Sequence, residues 1–134
     1  MKNNYMIVTA SGMSISDVKT DMAVKVLELC KSGWKLQGGA SVQEEYYPNT
    51  EIHWFKIYQT MVRGKQKLRD YDIIEKDGFL DSLAKVAERM SEKLEELSAD
   101  GWKLQGGAEV KESVAQGKSN CPIYTVYQTV IKEG

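Results

Sequence analysis

The chain has two cysteines, two prolines and a single histidine among its 134 residues. Cys30 lies in a helical pattern and Cys121 beside Pro122, so the pair forms no recognisable disulfide framework, metal cluster or redox motif. No apolar run approaches the ~20 residues that a membrane-spanning helix requires. The opening MKNNYMIVTASGM holds one Lys and a short apolar stretch, too little for a secretory leader. Charge of one sign is also missing in excess. Eighteen basic and 19 acidic side chains leave a formal net charge of −1, so no global basic field draws the chain to nucleic acid or anionic lipid. What remains, 42% apolar and 28% charged residues, is the composition of an ordinary globular chain. A cytoplasmic protein without a cofactor is the expectation.

Against these absences stands a repeat. GWKLQGGA occupies residues 33–40 and again 101–108, 68 positions later. Val42 and Val110 follow each copy, and IYQTMV (57–62) answers VYQTVI (126–131) at an offset of 69. Self-similarity of this kind marks a duplicated supersecondary unit. Each half opens on a strand-like run, YMIVTA (5–10) and YDIIE (71–75). A helix is predicted next. Its apolar stripe is Val18, Met22, Val26 and Leu29 in the first half, with Ala23 and Cys30 beside it. In the second half the stripe is Leu80, Leu83, Ala87, Met90, Leu94 and Leu97. Ser16-Asp17 offers the first helix an N-cap. Gly33 and Gly101 stand where each helix must stop, because glycine takes the left-handed cap conformation at little cost.

Beyond each glycine the period changes to two. Trp34, Leu36, Gly38, Ala40 and Val42 alternate with polar residues, as in a half-buried strand. Tyr47-Pro48-Asn49-Thr50 reads as a turn. Pairing residue 47 with 50 sets Gly38 opposite Gln59, Leu36 opposite Met61, Ala40 opposite Ile57 and Val42 opposite Phe55. The same register sets Gly106 opposite Gln128. Each unit is thus β-α-β-β, residues 1–63 and 68–134, joined by GKQK (64–67). A unit of ~65 residues buries little core alone. The expected architecture is α+β: one compact pseudo-twofold domain, six mostly antiparallel strands, both helices on one face.

The repeated polar residues are the candidates for function. Trp34 and Trp102 read first as core anchors at the helix–strand corner. Gln59 and Gln128 fall on an otherwise apolar face, where an unpaired amide costs ~1–3 kcal/mol. They are therefore either satisfied locally by backbone or turned toward a ligand. Gly39 and Gly107 mark a bulge or leave room for something to approach the backbone. The opposite face carries Lys35, Gln37, Trp54, Lys56, Tyr58 and Thr60, answered by Lys103, Gln105, Thr125, Tyr127 and Thr129. It is either a solvated sheet face or an amphipathic contact surface. An open aromatic sheet also suits single-stranded RNA, but the near-neutral charge argues against it. Catalysis finds little support. His53 stands alone, Glu44 and Glu112 are the one acid common to both halves, and no nucleophile triad or phosphate loop is present.

The pattern Gly-Trp-x-x-x-Gly-Gly, followed some 20 residues later by Tyr-Gln, resembles the small family called domain of unknown function 1737. It is carried by Gly33, Trp34, Gly38, Gly39, Tyr58 and Gln59, and again by Gly101, Trp102, Gly106, Gly107, Tyr127 and Gln128. The resemblance covers nearly the whole chain and implies a phage or mobile-element setting, with no reaction attached. The family form is a single unit, so its oligomers need not carry over to a tandem chain. Two functions follow as expectations. One is a non-enzymatic binding protein that sequesters a small nucleotide-like host signal. Its contacts would be Lys35, Gln37, Gly39, Tyr58 and Gln59, with Lys103, Gln105, Gly107, Tyr127 and Gln128. The other is an interaction module that self-associates or blocks a host protein through its open sheet face. No metal and no membrane partner is expected.

Overall fold

The computed structural model describes residues 4–47, 49–50, 52–79, 81–114 and 122–134. Both halves run through the same element order. The first comprises β1 (Tyr5–Gly12), α1 (Ile15–Lys31), β2 (Trp34–Leu36), β3 (Ser41–Tyr47) and β4 (Ile52–Arg63). The second comprises β5 (Leu68–Phe79), α2 (Leu83–Ala99), β6 (Lys103–Leu104), β7 (Glu109–Val114) and β8 (Pro122–Glu133).

Each helix starts on a serine. Ser14 Oγ accepts from the Asp17 amide at 3.4 Å, two residues before the cap expected at Ser16. Ser82 Oγ accepts from the Lys85 amide at 3.2 Å. Both helices end as the repeat requires, with Gly33 and Gly101 at φ 91°. The Trp102 amide reaches back to the Leu97 carbonyl at 3.0 Å, the bond that closes a glycine-terminated helix. In α1 the buried stripe is Val18, Met22, Val26 and Cys30, with Leu29 and Ala23 at its margin. In α2 it is Val86 and Met90, with Leu94 packed beside them. Val86 replaces the expected Leu83 and Ala87, which are exposed, and Leu80 lies outside the described residues.

The strand expected after each helix is split in two. β2 pairs with β4 through Leu36 and Met61, as expected, but β3 pairs Val42 with Ile57 rather than Phe55. The second half repeats this, with Leu104 opposite Val130 and Val110 opposite Val126. Two residues are therefore looped out around Gly38 and Gly106, whose φ values of 69° and 71° lie in the left-handed region. A slip of two leaves side-chain parity intact, which is why the apolar face survives the displacement. It also sets Tyr47 opposite Ile52 rather than residue 50. The Thr50 amide and hydroxyl both bond the Tyr47 carbonyl, while Pro48 of that turn lies outside the described residues.

The strands form two antiparallel four-stranded sheets rather than one six-stranded sheet. In the first, β4 is central, with β1 on one side and β2 and β3 end to end on the other. In the second, β8 is central, with β5 on one side and β6 and β7 on the other. Alternate residues of a strand point to opposite faces, so the packing partners identify which faces meet. In the first sheet Val8, Ala10, Ile57 and Met61 share a core with Val18, Met22 and Val26 of α1. In the second, Ile74 and Val126 pack with Val86 and Met90 of α2. The opposite, outer face of the second sheet, with Tyr71, Ile73, Tyr127 and Ile131, belongs to the α1 core.

The two helices thus lie on opposite faces of the second sheet, and the halves meet through unlike faces. This departs from the expected twofold with both helices on one side. The physical reason is the outer face of the second sheet. Tyr71, Ile73 and Ile131 are 0–3% exposed there, and burying each isoleucine contributes ~1.5–3 kcal/mol. A twofold pairing of the two helix-bearing faces would have left them in water.

Candidate functional site

The repeated glutamines organise the split strands. Gln59 is fully buried, and its Nε2 donates to the Gly38 and Thr60 carbonyls, each at 3.1 Å. Gln128 Nε2 donates to the Gly106 and Thr129 carbonyls at 3.1 and 3.0 Å. Each amide therefore closes the backbone loop that its glycine opens, supplying bonds the interrupted ladder lacks. Here the two halves diverge. Gln59 Oε1 accepts from the Tyr71 hydroxyl at 2.7 Å, whereas Gln128 Oε1 takes no donor among the described residues.

The second sheet seals the first glutamine's surroundings by several further bonds. Thr129 Oγ1 accepts from the Ala40 amide at 2.8 Å, and Gln105 Nε2 donates to the Gly38 carbonyl at 3.1 Å. Glu109 accepts from the Val42 amide and the Ser41 hydroxyl at 2.9 and 3.0 Å. Burial pushes the Tyr71 phenol well above its ordinary range, with Asp72 adding to the effect. It does the same to Tyr127, helped by Glu75, Glu44, Glu109 and Asp77. Both phenols are thus held as neutral hydroxyls. Burial also raises the Glu75 carboxyl, an effect that Lys19 opposes.

The corresponding place in the second half is open. A trough of about 590 Å³ runs between α2 and the second sheet. Met90 and Leu94 line one wall, Trp102 and Leu104 one end, and Val126, Gln128 and Val130 the sheet side. Leu104 is 57% exposed where its counterpart Leu36 is 7%, and Val110 is 48% exposed where Val42 is 1%. Trp34 is buried, with the Arg63 guanidinium 4.2 Å from its ring centroid. Trp102 is half-buried, with Lys132 Nζ at 5.3 Å. A wide apolar surface with a few polar groups, here Ser91, Glu95, Ser98, Lys103 and Gln128, is the usual make-up of a binding seat.

The ten expected ligand contacts do not converge on one pocket. Gln59, Gln105 and Gly39 lie where the halves meet, and Tyr127 is buried on the outer face of the second sheet. Gln128 lines the trough. Lys103 stands at its rim, ion-paired with Glu133 at 2.7 Å. Lys35, Gln37 and Tyr58 belong to the first half, Lys35 and Tyr58 on the outer face of its sheet and Lys35 with its stem against Gly64. A Cβ on Gly107 would meet nothing within 4 Å.

Sequence reasoning missed Leu104 and Val110 as exposed apolar residues, because their places in the period-two apolar alternation read as core. It also missed a basic cleft of about 580 Å³ at the linker, lined by Lys31, Lys65, Lys67 and Arg69. The signal is the run from Lys65 to Arg69, which spans the GKQK connection (64–67) and the first residues of the second unit.

Reactive groups are sparse. Burial raises the Cys30 thiol, which disfavours the thiolate. His53 Nδ1 lies 3.2 Å from Glu44 Oε1 on a half-exposed strand and meets Tyr46 edge-on. Among the described residues, no three His, Cys, Asp or Glu side chains gather as a metal site. No helix there is long and apolar enough to cross a membrane. No family model, curated protein or solved structure matches the chain, so the likeness to domain of unknown function 1737 rests on its motif residues.

Proposed function

We propose that the chain is a non-enzymatic binding protein built from two copies of one unit, holding an apolar or amphipathic partner in the trough beside α2. The carrying observation is the exposure of Leu104, which lines the trough at a position whose counterpart Leu36 is core. Val110, opposite the trough residue Val126, is likewise exposed where Val42 is core. Exposed apolar area of that kind marks an interaction site on a soluble chain. Gln128 Oε1, unbonded among the described residues, adds a directional acceptor to the apolar sheet side of the trough, which favours a partner carrying a hydroxyl or amide donor. The shared register of the two split strands supports the duplication.

The test uses an environment-sensitive apolar dye, anilinonaphthalene sulfonate, titrated into the folded chain. Saturable fluorescence that Leu104→Asp abolishes is the expected result. Enhancement unchanged by that substitution would overturn the reading.

A second reading has its own observation. Lys31, Lys65, Lys67 and Arg69 face one cleft, and none of them is in an ion pair among the described residues. Four cations at one cleft suit a phosphate-bearing ligand, which keeps the nucleotide-sequestering function open at a different place from the residues expected for it. A thermal-shift screen with nucleotides and cyclic dinucleotides checks it. Stabilisation that Lys65→Glu with Lys67→Glu removes is expected, and no shift with any of them counts against it.

A further inference from the structure

We infer that the partner seated in the trough is a second copy of this chain, presenting the outer face of its first sheet, so that copies join head to tail. The inference rests on reading the trough as a binding seat and names its occupant. Within one chain the helix side of the first half receives the outer face of the second. Each chain therefore keeps one unused half of that same interface at either end.

The unused outer face is that of the first sheet. Tyr5 pairs with Val62 as Tyr71 pairs with Ile131, so Tyr5 and Ile7 are the counterparts of Tyr71 and Ile73. Tyr5 and Ile7 are 60% and 55% exposed, against 3% and 0% for the buried pair. The unused receiving face is the trough. Gln128 Oε1 there has no donor among the described residues, while Gln59 Oε1 is bonded by Tyr71. Tyr5 of an incoming copy carries the missing hydroxyl.

The glycines give an independent account of the same geometry. A Cβ on Gly106 would strike Gly39 N at 2.3 Å, and one on Gly39 would lie 3.0 Å from the Gln105 carbonyl. On their counterparts Gly38 and Gly107, a Cβ would meet nothing within 4 Å. The four glycines thus form one filled contact and one empty contact of matching shape. Two bonds are not repeated: Glu109 accepts from the Val42 amide and the Ser41 hydroxyl within the chain, and Ser41 stands at its counterpart position, so the contact between chains is weaker than the contact within one. Joining of unlike surfaces is heterologous and extends into rings or filaments unless blocked.

The test is sedimentation velocity on the full chain over a wide concentration range, with three variants. Gly38→Ala and Ile7→Asp each block the outer face of the first sheet, and Leu104→Asp blocks the trough. Circular dichroism melts identify variants that fold, and Ile7→Asp serves if Gly38→Ala does not. The expected result is concentration-dependent growth of the unmodified chain, monomeric single variants, and a dimer that grows no further when a face variant is mixed with the trough variant. A chain that stays monomeric at every concentration overturns the inference, as does association that survives either blocked face. If the dye still binds and Leu104→Asp still removes it while the chain stays monomeric, the trough remains a binding seat and only its occupant is wrong.

Discussion

Gly38 and Gly106 have the same sequence neighbours and nearly the same backbone angles, yet different surroundings. Alanine at Gly38 carries only the left-handed backbone cost of ~1–2 kcal/mol, because nothing lies within 4 Å of its Cβ. Alanine at Gly106 must also displace the Gly38–Gly39 backbone, which adds about 1–3 kcal/mol of overpacking. Urea unfolding of the two variants should therefore show the larger loss at Gly106, and equal losses would contradict the packing described here. At this scale the sequence was informative about identity and silent about asymmetry. Gln59 and Gln128 were legible as amides needing partners, and both found them in the adjacent backbone. Which of them would also receive a tyrosine hydroxyl depended on how the halves meet, and eight repeated letters carry no trace of that.

At the scale of elements, the helices, their glycine stops and the pairing of Leu36 with Met61 were readable from period and parity. The split of each second strand was not. A looped-out pair of residues preserves alternation, so the apolar pattern on either side looks like one continuous strand. The α2 stripe keeps Met90 and Leu94 but takes Val86 as its buried residue, because Leu83 is exposed and Ala87 faces the open trough. This predicts unequal sensitivity of the two helices to truncation. Met22 is 0% exposed in a closed core, so Met22→Ala should cost ~2–5 kcal/mol, toward the upper end. Met90 borders the trough, where solvent already reaches the wall, so Met90→Ala should fall at the lower end of that range. Chemical denaturation at neutral pH measures both, and a larger loss at Met90 would mean that α2 is as tightly packed as α1.

For the whole molecule, composition and periodicity pointed to an α+β chain, and that coarse class holds. The twofold arrangement did not follow, since either face of a sheet can be the buried one and both halves carry a Tyr and an Ile at matching outer-face positions, Tyr5 and Ile7 in the first and Tyr71 and Ile73 in the second. Burial of Tyr71 and Tyr127 has a pH consequence. Their phenols are raised in the folded chain, whereas unfolded tyrosine titrates near ~10. The folded state thus keeps protons that the unfolded state releases. Its stability is intact below about pH 10 and falls as pH rises through the folded values. Of the seven tyrosines, Tyr71 and Tyr127 should ionise only together with unfolding, seen as phenolate absorbance rising in step with loss of circular dichroism. Their ionisation in a fully folded chain would contradict the burial.

The meeting of unlike faces is the claim on which the rest depends. Isotope-edited nuclear Overhauser spectroscopy of dilute monomer addresses it directly through the side-chain amide of Gln59. The expected result is cross-peaks from that amide to the Tyr71 ring, and from Gly39 to the Thr129 side chain. Cross-peaks from the Gln59 amide to Gln128 or Val130 instead, on the helix side of the second sheet, would show that like faces meet and would contradict the account.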